Sequence, residues 1–154
     1  MTCRTTRPTI PSAIVAPFGH HRAPMGQPAA KQGDQVVGVD THIIMIPSPG
    51  GPVPTPMPLP FSGQLSGNLS STVQIDNEPA ATTGSTADNS PQHIPLGGSF
   101  QNPPANLATV NDGSATVFFD GQKAARLGDP AKTCNDPTDA PNGVIVASGT
   151  VLIG

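Results

Sequence analysis

His42, His93 and Cys134 are side chains suited to holding a metal ion, and each follows a copy of the same short sequence. The copies are Gln27-Pro28-Ala29-Ala30-Lys31-Gln32-Gly33-Asp34, Glu78-Pro79-Ala80-Ala81-Thr82-Thr83-Gly84-Ser85 and Gln122-Lys123-Ala124-Ala125-Arg126-Leu127-Gly128-Asp129. His42 and His93 stand eight residues past Asp34 and Ser85, and Cys134 stands five past Asp129. Imidazole nitrogen and thiolate sulfur are the donors of structural zinc sites, so one donor per copy would let the copies share a single ion. The competing reading makes Cys134 a small buried apolar residue and the two histidines turn caps. It leaves their identical offset without a cause. A Cys3–Cys134 disulfide is the remaining alternative, with Cys3 in a stretch that shows no structural pattern.

The elements that must position these residues are short. The copies recur at spacings of 51 and 44 residues, which means one supersecondary unit used three times. Thr72-Val73-Gln74-Ile75-Asp76-Asn77 aligns with Thr116-Val117-Phe118-Phe119-Asp120-Gly121. Each is a β-prone run closed by a dipeptide that tolerates the positive φ of a tight hairpin turn. The Ala-Ala pairs offer small side chains where backbones pack closely, and Gly84 and Gly128 stand at the next bend. Thr150–Gly154 reads as the strand half of one more unit.

Composition agrees with an all-β chain without substantial helix. Pro and Gly number 20 and 17 of 154 residues, and both are costly inside helices. With no Trp or Tyr and five Phe, the core must be thin, and a chain of this kind needs a disulfide, a metal or a partner subunit. Residues 1–25 read as a mobile N-terminal extension, and 26–154 as one domain. Pro47–Pro60 carries seven prolines and reads as a rigid, extended loop, with a flexible linker or polyproline segment as the alternative.

Several functions are disfavoured. After residue 25 there are four Lys/Arg against ten Asp/Glu, a surface that repels nucleic-acid phosphates. No apolar run is long enough to span a bilayer, and Ile10–Phe18 is broken by Pro11 and Pro17, a poor signal-peptide core. The expectation is a protein made in the cytoplasm without a signal peptide. A Pro-rich wall-associated protein is a further class, marked by no sharp melting and no bound metal.

The Pro-Ala-Ala-x-x-Gly-Asp pattern resembles that of the PAAR-repeat proteins, which tip the spikes of contractile injection systems. These systems include type VI secretion machines and extracellular phage-tail-like particles. Asp40–Phe61, Gly113–Val117, Ala124–Asp129 and Thr133–Asp136 carry the likeness further, so that it covers roughly Gly26 to Gly154. The resemblance implies a small cone of three short β units around a pseudo-threefold axis, drawn together near the apex by structural zinc on His42, His93 and Cys134. It also implies a non-enzymatic, membrane-puncturing tip seated one copy per trimer on a VgrG-like or phage-spike-like protein. Such a tip meets its target membrane only transiently, is delivered extracellularly or into a target cell, and can carry effector cargo.

Relatives tend to supply a fourth ligand, often His, in the Pro-x-Pro-Phe turn, where this chain has Leu59. His20, His21, Met57 or water are the candidates for that place. The alternative function is a zinc-dependent hydrolase or a carried effector, with Asp40 or Asp129 near the ligands. A repeat-motif Asp129 fits a turn cap better, and an apex of converging loops is expected to offer no concave pocket.

Overall fold

A computed structural model describes residues 26–154. The N-terminal extension, Cys3, His20 and His21 lie outside the described residues. The described chain is all-β, with no helix among its elements. These are β1 (Gln27–Pro28), β2 (Gln35–Ile46), β3 (Val53–Gly67), β4 (Gln74–Ile75), β5 (Glu78–Pro79), β6 (Thr86–Asn89) and β7 (Ser99–Phe100). They continue with β8 (Leu107–Val110), β9 (Phe118–Phe119), β10 (Gln122–Lys123), β11 (Pro130–Thr133), β12 (Ala140–Val146) and β13 (Leu152–Ile153).

Six strands close into an antiparallel barrel in the order β12-β11-β8-β6-β3-β2, with β12 pairing back onto β2 and β7 added at the far end of β2. The barrel is three hairpins, and each hairpin follows one copy of the repeat. Closure leaves no free edge around the barrel wall.

The repeat is a true structural repeat. The amide of Ala30 donates to the carbonyl of Ala125 (2.9 Å), Ala125 to Ala81 (3.0 Å), and Ala81 to Ala30 (2.9 Å), closing a ring around the axis. These three alanines, and Ala29, Ala80 and Ala124 beside them, are fully buried. A methyl is the largest group that lets three backbones come this close. Gly33, Gly84 and Gly128 then turn each chain outward at φ of 84°, 92° and 84°, where a Cβ would be strained. Asp34, Ser85 and Asp129 cap the same bend, accepting from the amides of Lys31, Thr82 and Arg126 at 2.8–2.9 Å. Asp129 is therefore the turn cap that the repeat motif suggested.

Above the alanine ring the barrel is filled by matching triplets, Leu65 with Val110 and Ile145, and Val36 with Ala87 and Ala131. Phe61 breaks the symmetry and fills the top. Below the ring lies a second small core of Ile75, Ile153 and the paired alanines, with Val73, Val117 and Phe119 against it.

That lower core is built by three two-stranded ribbons, β4–β5, β9–β10 and β13–β1. Asp76-Asn77 and Asp120-Gly121 close the first two with positive φ at all four residues, as their sequence requires. Thr150–Gly154 does not begin another unit. Its strand pairs with β1, Gln27 opposite Ile153, and so completes the first unit with the other end of the chain. Each ribbon is also clasped by its neighbour. Ser70 and Thr72 hydroxyls donate to Asp120, the Thr150 hydroxyl to Asp76, and Ser114 and Thr116 hydroxyls to the Gly154 carbonyl.

At the opposite end β2 and β3 run on together beyond the barrel, in unbroken register from Gln35–Gln64 to Ile46–Val53. This corrects the expectation of a Pro-rich loop: only the tip around Ser48–Gly51 turns, and Val53–Gly67 is strand. The reason lies in the alternation. Pro54, Pro56, Pro58 and Pro60 share a phase with Ser62, whose amide and carbonyl bond away from β2, to Asn89 and Ser90. The amide hydrogens that proline lacks are those that would point outward, so the ladder to β2 survives.

Candidate metal centre

Where the barrel strands run out, Asp40, His42, His93 and Cys134 converge, with one donor atom from each lying within 4.8 Å of all the others. Asp40 and His42 come from β2, two residues apart and therefore on one face. His93 comes from the loop between β6 and β7, and Cys134 directly follows β11. The three residues expected from the repeat are thus brought together, one from each unit. The fourth, Asp40, is not among the candidates named for the open place.

The chemistry of this cluster suits a cation. Asp40 is fully buried; Thr133 Oγ1 donates to its Oδ1, and the Cys134 sulfur lies 3.4 Å from its Oδ2. A buried carboxylate needs donors or positive charge close by. Here a hydroxyl and a thiol donate to it, and a cation that displaced the thiol proton would be held by both groups. Burial, and after it the neighbouring Asp40, push the Cys134 thiol up to about 11. The nearby backbone amides of Asn106 and Leu107 pull the other way.

His42 is 1% exposed, and neither ring nitrogen has a hydrogen-bond partner. Nδ1 comes within 3.4 Å of Asp136 Oδ2 without hydrogen-bond geometry. An imidazole buried with both nitrogens unpaired is rare without a ligand to meet one of them.

His93 is placed from both ends. Its backbone amide donates to Asn106 Oδ1 at 2.7 Å, and its Nε2 lies 3.1 Å from the Pro60 carbonyl. A carbonyl can only accept, so Nε2 carries the proton and Nδ1, 3.8 Å from the Cys134 sulfur, keeps its lone pair. Burial, foremost, holds His93 below the usual histidine range, which favours the neutral ring that a metal needs. The rings of His42 and His93 meet edge-on with centroids 4.8 Å apart.

Two nitrogens, a sulfur and a carboxylate oxygen form a donor set that fits a tetrahedral ion. Leu59 lies opposite Asp40 and Met57 opposite His42 in the β2–β3 register, so both stand on the same face of the ribbon as the cluster. Leu59 is in a strand rather than a turn, and the oxygen donor comes from the residue across from it. Asp40 was legible in principle, because a strand-like run places i and i+2 on one face. Asn106, whose side chain accepts from the His93 amide, carried no sequence signal.

Beside the cluster a cavity of about 280 Å³ is lined by His42, Cys134, the segment Asn102–Ala105 and the segment Asn135–Asp139. The expectation of an apex without concavity is not met, because these two segments and His42 leave a hollow beside the cluster. Compared with known proteins, the chain matches no protein-family model and no curated protein.

Proposed function

We propose that this chain is a PAAR-type tip that caps and sharpens the trimeric spike of a contractile injection system, held at its apex by one structural zinc. The observation that carries the reading is the ring Ala30–Ala125–Ala81, through which a single chain presents three equivalent β units around one axis. A chain with built-in threefold character can cover the end of a trimer that would otherwise expose unpaired strand edges. The ribbon end suits that contact: Phe118 and Leu152 stand at matching places and are 53% and 55% exposed, with Val151 beside them. Burial of such groups by a partner would add stability that a core rich in alanine lacks.

Zinc is the ion this donor set favours, and Asp40, His42, His93 and Cys134 would hold it. When bound, it ties β2, the His93 loop and the end of β11 together and so couples metal binding to folding. A zinc-dependent hydrolase is the second reading, and the cavity beside His42 and Cys134 is what favours it. Four protein donors leave a reacting water no place on the ion, which favours the structural role. The tip would be made in the cytoplasm, ride on the particle and meet a membrane only as it is driven through.

The test is capture of the protein by its trimeric spike. Phe118→Glu with Leu152→Glu should abolish capture while zinc content stays that of wild type. Undiminished capture by this variant would remove the ribbon end as the docking face.

A further inference from the structure

We infer that Asp136 is a positioning residue that fixes His42 by its Nδ1 proton, so that the two histidines meet the metal through different nitrogens, His42 by Nε2 and His93 by Nδ1. The inference rests on the metal reading above.

Asp136 follows Cys134 by two residues, yet its carboxylate is not among the four donors that converge. It lies instead behind His42, with Oδ2 at 3.4 Å from Nδ1. The Nδ1 edge of the ring thus faces Asp136, which leaves the Nε2 edge for the metal. The carboxylate is well anchored for this task. Oδ2 accepts from the Ile43 amide at 2.9 Å, and Oδ1 accepts from Asn102 Nδ2 at 3.2 Å. The Asp136 amide donates to the Thr41 carbonyl at 2.9 Å, and Asn135 Oδ1 accepts from the Thr41 amide at 2.8 Å. The backbone on both sides of His42 is thus gripped by the segment that carries Cys134.

A neutral imidazole has one lone pair to give. At His93 the Pro60 carbonyl takes the Nε2 proton and leaves Nδ1 for the ion. At His42 the nearest acceptor to Nδ1 is a carboxylate, which fixes the opposite tautomer and raises the basicity of Nε2. The 3.4 Å approach lacks hydrogen-bond geometry, and we infer that it becomes a hydrogen bond when a metal holds Nε2.

The experiment uses the full chain loaded with zinc, labelled with ¹⁵N at histidine, alongside Asp136→Asn and Asp136→Ala. Asp136→Asn keeps the side-chain shape but removes the negative charge beside His42 Nδ1 and one of the two acceptor oxygens that serve Ile43, His42 and Asn102. In wild type, two-bond ¹H–¹⁵N correlations should show His42 protonated at Nδ1 and His93 protonated at Nε2. Both variants should release zinc to a chelator about 10- to 100-fold faster than wild type, with the His42 Nδ1 proton exchanging faster. Ligation of His42 through Nδ1, or unchanged release from both variants, would overturn the inference and leave the metal site standing. Wild-type protein that takes up no zinc would overturn the metal reading and the inference with it.

Discussion

Asp40 Oδ2 and the Cys134 sulfur lie 3.4 Å apart, although 94 residues separate them in the chain. Both are buried, and both carry negative charge when they are ligands. While the thiol keeps its proton it donates to the carboxylate; with a cation bound the two together would supply half of a tetrahedron. Asp40→Asn keeps an acceptor for Thr133 but removes the charge, and zinc affinity should fall by more than about tenfold, the lower end of what losing an outer-shell partner costs. Competition with a chromogenic chelator measures this, and wild-type affinity in the variant would place the fourth ligand elsewhere.

The alanine ring leaves no room for a larger side chain. Ala81→Val adds bulk at a fully buried site where three backbones meet, and should destabilise by about 1–3 kcal/mol. For a chain of this size that is a fall of about 2–10 °C in melting temperature. Thermal unfolding followed by circular dichroism checks it. An unchanged melting temperature would mean that the ring is looser than its hydrogen bonds imply.

The clasps between ribbons should be sensitive to acid. Asp120 is held below the usual carboxylate range by the Ser70 hydroxyl first and Thr72 second, and Asp76 by Thr150. A carboxyl lowered in the folded state stabilises above its unfolded value and loses that contribution as pH falls through the folded one. Asp120→Asn keeps a residue that tolerates the positive φ of this turn and removes the charge. Wild type should melt above the variant at pH 6, and the gap should narrow toward pH 3. A gap that widened in acid would contradict the clasp.

Much of this fold was legible in the residues. The repeat spacing gave three units, the Asp-Asn and Asp-Gly pairs gave two of the three ribbon turns, and the recurring donors gave three members of the cluster. The third ribbon was hidden because its strands lie at opposite ends of the described chain, and pairing of β1 with β13 leaves no local signal. Pro54–Pro60 misled because proline content alone does not reveal which amide hydrogens a strand can spare. Asp40 was read as a neighbour of the site rather than part of it, since a lone acidic residue in a β run gives no sign of its burial.

The proline alternation has a consequence for solubility. Along Pro54, Pro56 and Pro58 the outward edge of β3 offers carbonyls without amide hydrogens, so another strand cannot complete a ladder there. Replacing all three by Thr restores the donors. The variant should self-associate with rising concentration in sedimentation velocity while wild type stays monomeric. A monomeric variant across the same range would show that the edge is protected by something else.

Native mass spectrometry of the protein mixed with its trimeric spike tests the tip assignment most directly, because it counts chains and metal together. The expected species is one chain carrying one zinc ion on each trimer. Three chains per trimer, or a bound chain without metal, would contradict a tip built by one chain around one ion.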